Sequence, residues 1–455
     1  MKHLRNCIFL FGLSAVASLL FFSSCTKAPE SSRPNIIFIM ADDMGYGDLG
    51  SYGQTVIQTP NLDQMAKEGL QFTNCYAGST VCAPSRSVLM TGKHTGHTTV
   101  RGNFGKYGVV GLGGGEGRVP LEAEDVTVAE VLKEQGYVTG MTGKWGLGEP
   151  DTTGHPNDQG FDEWFGYLNQ RKAHTYYPDF IWKKKEKVEF PENADGNKGT
   201  YTHDLFTEFA LDFVKRHKDN PFFLYLPYTV PHSAYEIPDT APYTDRAWTD
   251  DEKVHAAMIT RLDRDVGSLF QLLKGLKLDE NTIVFFCSDN GAAERWEGRF
   301  DSSGDLRGRK RDMYEGGIRT PMIVRWPGKV AVGTSNNTAW YFADVLPTVA
   351  ELAGANVPAS IDGISVLPSI LGDSQDLSDR TLYWEFFESG FQQAVRQDDW
   401  KAVRLKLGEP LELYDLSKDE EHNVAAQHPE IVANFEAYLI TARSASRNWP
   451  VEELD

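Results

Sequence analysis

The run Ile36-Ile37-Phe38-Ile39-Met40 offers solvent no polar residue on either face, so as a strand it belongs in a sheet covered on both sides. The same style returns at Phe222-Phe223-Leu224-Tyr225-Leu226, Thr282-Ile283-Val284-Phe285-Phe286 and Pro321-Met322-Ile323-Val324, with a shorter strand signal at Tyr137-Val138-Thr139. Between these runs lie segments of helical periodicity: Asn61 to Glu68 with Gly69 as its stop, Val126 to Gln135, Thr202 to His217, Glu252 to Lys274, and Asp344 to Leu352. Such alternation predicts an α/β fold, a large and mostly parallel sheet sandwiched by helices. Polar residues Gly372 to Asp379 mark a boundary. Beyond it Thr381–Phe386, Gln393–Arg396, Lys401–Leu405 and Glu412–Leu416 read as short strands without intervening helices, and Pro429 to Ala442 as a helix. The expected organisation is a main α/β domain over 35–372 and a smaller C-terminal antiparallel sheet plus helix over 380–455.

Lys plus Arg number 45 against 64 Asp plus Glu, a formal net charge of −19. A surface that acidic repels nucleic acid, which is therefore not an expected partner, and an anionic substrate would need a locally positive site. Lys2 and Arg5 precede an apolar run from Cys7 to Phe22 that is shorter than the roughly 20 residues of a spanning helix. Ser23-Ser24-Cys25 then resembles a bacterial lipoprotein signal, so residues 1–25 are expected to be a signal peptide, Cys25 the lipid-anchored residue and 26–34 a tether. Phe22 stands where an aliphatic residue is usual, and an ordinary secretory signal is the alternative. The expected location is exported and membrane-anchored, facing the periplasm, with the cell surface as the other choice. Cys75, Cys82 and Cys287 are too few for a disulfide framework. A Cys75–Cys82 bridge would consume Cys82.

Two apolar runs end alike. Ile36–Met40 leads into Ala41-Asp42-Asp43, and Thr282–Cys287 into Ser288-Asp289-Asn290-Gly291. Ligands of open α/β sheets bind beyond the carboxyl ends of strands. If these strands are neighbours, three carboxylates and an amide oxygen converge there, a hard-oxygen set suited to Ca²⁺ rather than zinc. Either pair alone also reads as a turn or helix cap.

The stretch Cys82-Ala83-Pro84-Ser85-Arg86, followed by Ser87-Val88-Leu89-Met90-Thr91-Gly92, reads as a cysteine meant for conversion. Together with the acid pairs, Gly143-Lys144-Trp145-Gly146-Leu147-Gly148, Val230-Pro231-His232 and the succession Leu306-Arg307-Gly308-Arg309-Lys310 to Glu315-Gly316-Gly317-Ile318-Arg319-Thr320-Pro321, it resembles the sulfatase family over nearly the whole chain from Pro34 to Leu416. The resemblance implies an alkaline-phosphatase-like fold and hydrolysis of a sulfate ester, with a sulfated glycan as substrate. It implies that a maturation enzyme reading Pro84 and Arg86 converts Cys82 to 3-oxoalanine (formylglycine). The metal would be Ca²⁺, held by Asp42, Asp43, converted Cys82, Asp289 and Asn290. Arg86 would hold the hydrated aldehyde, Lys144 and Lys310 would contact sulfate, and His232 would protonate the leaving alcohol.

One departure stands out. Most relatives carry a histidine where this chain has Gly146, and His174, in Gln170-Arg171-Lys172-Ala173-His174, is the candidate to reach the pocket instead. Arg101 and Asn103 are further candidates to face substrate, as are the cations and flat rings of the Gln170–Trp182 stretch and of Arg295-Trp296-Glu297. Competing functions are a formylglycine-dependent phosphonate monoester or phosphodiester hydrolase, disfavoured by the lack of a histidine beside Asp289-Asn290, and a non-catalytic glycan-binding lipoprotein.

Overall fold

In a computed structural model describing residues 33–109 and 117–455, the first apolar run becomes the strand Asn35–Ala41 at the centre of an 11-stranded sheet. Every residue of that strand is buried. It pairs in parallel with Thr282–Ser288 on one side and Phe222–Pro227 on the other, and Phe222–Pro227 pairs in parallel with Val138–Lys144. These four strands point the same way, so their carboxyl ends open onto one edge of the sheet. The leader and Cys25 lie outside the described residues, and among the described ones no helix is long and apolar enough to cross a membrane.

Helices cover both faces. Thr202–His217 and Asp250–Gly275 pack with Ile37, Ile39, Leu224 and Val284 on one side. Cys82–Thr91, Val128–Glu134 and Val345–Ala353 pack with Ile36, Phe38 and Phe285 on the other. Strand residues alternate between the two clusters as a pleated strand requires. Arg319–Arg325 enters antiparallel between Thr282–Ser288 and Leu70–Tyr76, which makes the sheet mixed but mostly parallel.

A separate four-stranded antiparallel sheet follows: Thr381–Phe386, Gln392–Gln397, Trp400–Arg404 and Glu412–Asp415. Phe435 and Leu439 of the helix Pro429–Thr441 pack on its face with Tyr383 and Val395. Buried polar contacts tie this sheet to the main one. Lys401 Nζ lies 2.9 Å from Glu315 Oε1 and 2.7 Å from Glu420 Oε1, and Trp384 Nε1 donates to Ala77 O at 2.9 Å. The α/β expectation and the antiparallel appendage are both realised.

Candidate active site

The register Met40↔Cys287 and Ala41↔Ser288 sets Asp42-Asp43 beside Asp289-Asn290, so the two acid pairs do converge. Asp43 adopts a left-handed φ of 66°, its N–H donates to Asp289 Oδ1 at 3.1 Å, and its Oδ1 accepts from Asn290 Nδ2 at 2.8 Å. Lys144 is the last residue of its own parallel strand and donates to Asp42 Oδ2 at 2.6 Å. His232 follows the strand Phe222–Pro227 and lies with Nε2 3.3 Å from Asp43 Oδ2.

Cys82 opens the helix Cys82–Thr91, all ten residues of which are buried. Pro84 falls in its first turn, where a missing N–H costs no helical hydrogen bond. Ser85 Oγ donates to Asp289 O at 2.5 Å, pinning the helix start to the second acid pair. Arg86, one turn on from Cys82, donates through Nε and Nη2 to Asp289 Oδ2 at 3.1 and 2.7 Å, and through Nη1 to Lys144 O at 2.6 Å. The Cys82 Sγ donates to Asp42 Oδ1 at 3.4 Å. Lys310 Nζ reaches both oxygens of Asp43 at 2.6 and 2.7 Å, Cys82 Sγ at 3.7 Å and His232 Nε2 at 3.5 Å.

Charge inside this cluster balances. Asp42, Asp43 and Asp289 face Arg86, Lys144 and Lys310, all 8% exposed or less. Burial alone would raise the Asp42 carboxyl, yet Lys144, His232 and Arg86 together hold it well below the usual range. Asp43 is likewise held low against burial, by Lys310 first and then His232. Burial, with Asp289 and Asp42 adding to it, pushes the Cys82 thiol far up, so as a thiol it stays protonated and a poor nucleophile. Cys75, Cys82 and Cys287 are free.

The cluster can hold a divalent cation. Ligand atoms of Asp42, Asp43, Cys82 and His232 lie within 4.8 Å of one another. Asn290 Oδ1 is buried with no hydrogen-bond partner, an uncompensated acceptor of the kind a cation satisfies.

A cavity of about 200 Å³ opens over Cys82, Lys310 and His232. His174 lines it, its ring 4.2 Å from that of His232. Burial, reinforced by His232, drops the His174 pKa to about 3, so the ring lines the cavity in its neutral form. Asn103 lines the cavity too, accepting from Ala83 N at 3.2 Å and donating to Glu388 Oε1 at 2.7 Å. The structure does not bring Arg101 there. Its guanidinium turns to the C-terminal segment, donating to Ser444 O at 2.8 Å beside buried Glu385 at 3.4 Å. The loop of Arg295 and Trp296 borders a different depression.

Sequence reasoning passed over Gln170, Arg118, Arg311 and Glu388, which also line the cavity. Gln170 sits beside the very position of the missing histidine. Glu388 lies in the turn between Thr381–Phe386 and Gln392–Gln397 and carries no local motif that would have exposed it.

With this geometry in view, the comparisons with known proteins are consistent. The Sulfatase family model matches residues 34–355, and the model for the C-terminal region of N-sulphoglucosamine sulphohydrolase matches 308–444. The chain is 30% identical to an N-acetylgalactosamine-6-O-sulfatase of Bacteroides thetaiotaomicron, covering 91% of this chain and 94% of that one. It is 33% identical to arylsulfatase A of Homo sapiens, over 88% of this chain and 85% of the relative. The crystal structure of Ps i-CgsB in complex with k-i-k-neocarrahexaose superposes with a TM-score of 0.81 at 28% identity, covering 93% and 96% of the two chains. The chain belongs to the sulfatase family. Its activity is that of a sulfuric ester hydrolase.

Proposed function

We propose that this enzyme removes sulfate from a sulfated glycan, using a formylglycine made from Cys82 by a maturation enzyme and a calcium ion held by Asp42, Asp43, Asp289 and Asn290. The observation that carries the reading is the placement of Cys82 Sγ between Asp42 Oδ1 at 3.4 Å and Lys310 Nζ at 3.7 Å, at the floor of the cavity. A relative named for N-acetylgalactosamine 6-O-sulfate and a neighbour solved with k-i-k-neocarrahexaose support a sugar as the carrier.

An alkoxide such as serine would be left holding a stable sulfate ester. A hydrated aldehyde at residue 82 avoids that, because its carbon bears two hydroxyls. Formed there, the hydrate would supply one hydroxyl to take the sulfate from the sugar oxygen, its proton passing to solvent, and a second whose deprotonation would release sulfate and restore the aldehyde. Calcium would lower the proton affinity of the attacking hydroxyl and draw charge from the sulfate oxygens. Lys144 and Lys310 stabilise the charge gathering on sulfate, in a site with little water to reorganise. His232 Nε2 faces Lys310 Nζ at 3.5 Å, where the leaving oxygen needs its proton. Arg86, locked on Asp289, keeps that carboxylate aimed at the metal position.

The inner cluster carries three acids and three cations. A divalent cation therefore makes it net positive, which suits a sulfate ester in a protein whose overall charge of −19 would otherwise repel it. The leader and Ser23-Ser24-Cys25 support export as a lipoprotein anchored at Cys25 and facing the periplasm. Turnover of sulfated galactose, N-acetylgalactosamine, glucosamine and fucose isomers, beside aryl sulfate and aryl phosphonate, tests the reading. Sulfate release from one sugar series supports it; faster turnover of the phosphonate contradicts it.

A further inference from the structure

At the mouth of the cavity the balance of charge changes. Arg118 is 9% exposed, its guanidinium carbon stands 4.3 Å over the Phe104 ring, and Nη1 donates to Asn103 O. Among the described residues no carboxylate forms an ion pair with it. Glu149 and Glu388 act on it only through space; Glu149 accepts a hydrogen bond from Asn169 Nδ2 and Glu388 pairs with Arg311. Arg171, on the same wall, is exposed and also lacks an acidic partner among the described residues. The two guanidinium groups repel each other. The third arginine of the rim, Arg311, differs: its Nε pairs with Glu388 Oε2 at 2.8 Å.

A buried cation without a carboxylate in direct contact is costly, and a second like charge beside it raises the cost. In a chain with 64 acids against 45 bases, no carboxylate among the described residues is placed in ion-pair contact with Arg118 or Arg171. The sulfate being cleaved would not need these arginines, because Lys310, which lines the cavity, and a divalent cation held by the acid pairs would meet it there.

We propose that Arg118 and Arg171 bind a second anionic group, a sulfate or a carboxylate, carried by the substrate beside the sulfate that is removed. The guanidinium fork matches either group with paired charge-assisted hydrogen bonds. Phe104, stacked on Arg118, holds that fork still before substrate arrives. The inference rests on the glycan-sulfatase reading above and narrows its substrate class from singly to multiply anionic sugars.

The test takes the monosulfated sugar that the mature enzyme turns over fastest and compares three forms: the sugar alone, the same sugar with a second sulfate, and the same sugar joined to a uronic acid. The wild type is expected to favour at least one doubly anionic form by about tenfold or more in kcat/KM, mostly through KM. In Arg118→Gln/Arg171→Gln that preference falls to within about threefold, and Arg118→Lys retains part of it. Arg171→Gln alone, at an exposed position, carries the same reduced preference should the double variant fold poorly. Equal kcat/KM for all three forms in the wild type, or a preference that survives both substitutions, overturns the inference and leaves the glycan reading standing. Sulfate release from aryl sulfate but from no sugar overturns the glycan reading, and the inference with it.

Discussion

Gln170 occupies the space that a side chain on Gly146 would need: a Cβ there would lie 2.6 Å from Gln170 Nε2 and 2.7 Å from its Cγ. Gly146 also has a left-handed φ of 80°, where any other residue is strained. The space beside Gly146 is thus filled by an amide that is buried, lines the cavity and leaves Nε2 without a protein partner.

That relationship predicts a specific pattern in variants. Gly146→His alone should lose about 2 kcal/mol or more of stability, from steric clash and backbone strain together. Gln170→Ala in the same chain should recover part of the loss, because it removes the clash and not the strain. Denaturant unfolding of the two single variants and the double variant measures the coupling; strict additivity would show that the two side chains do not compete for one space.

Lys144 and Lys310 each neutralise a different buried carboxylate, Asp42 and Asp43, at 2.6 Å. Substituting either by Ala should lower kcat by about 10²–10³-fold through lost stabilisation of the transferring sulfate. Each should also lower Tm, since a buried carboxylate is left without its partner. Steady-state kinetics with an aryl sulfate, alongside thermal melts, checks both effects. A Lys144→Ala enzyme with normal kcat would remove that residue from the chemistry.

Chelation should abolish activity and lower Tm, because three carboxylates and the unpartnered Asn290 Oδ1 lose the charge that organises them. Calcium added back should restore both readouts, and zinc, which favours nitrogen and sulfur donors, should not. Recovery with zinc alone would contradict the oxygen-donor assignment.

The junction between the sheets makes a pH prediction independent of the active site. Burial raises the Glu420 carboxyl from 4.5 to about 7, with nearby Glu315 adding to the shift against Lys401. A raised carboxylate favours its protonated form in the folded state. Its contribution to stability is complete below about pH 4.5 and lost as pH rises through about 7. Glu420→Gln, which mimics the protonated form, should therefore gain stability relative to wild type as pH rises from 5 to 8, on the order of a few degrees in Tm. Melting curves of both proteins across that range check it; a difference that shrinks with pH would contradict the sign.

Much of this architecture was legible because burial on both faces leaves unbroken apolar runs. Asn35–Ala41 and Thr282–Ser288 were read within a residue or two of their ends, and the helix Thr202–His217 to the residue. Leu70–Tyr76 was missed: Gln71, Thr73 and Asn74 are only half-buried and break the apolar pattern. The strand Val138–Lys144 was cut short in the sequence reading because Gly140 sits inside it. A Cβ at Gly140 would meet Phe213 at 2.5 Å, so the glycine there serves helix packing rather than a turn. At the site, the acid pairs were legible because each follows its strand directly. Arg101 went elsewhere because buried Glu385, distant in sequence, draws its charge. Arg118 and Glu388 meet at the rim only through tertiary packing of the C-terminal sheet, which no local spacing records.

The chemistry proposed for the cavity floor depends on residue 82 no longer being a cysteine in working enzyme. Peptide mass spectrometry of active protein, isolated from a host that supplies the maturation enzyme, measures this directly. The account predicts that the peptide containing residues Cys82 to Arg86 carries an aldehyde at position 82, with sulfur lost and oxygen gained, in proportion to specific activity. Full activity in protein that retains the thiol would contradict it.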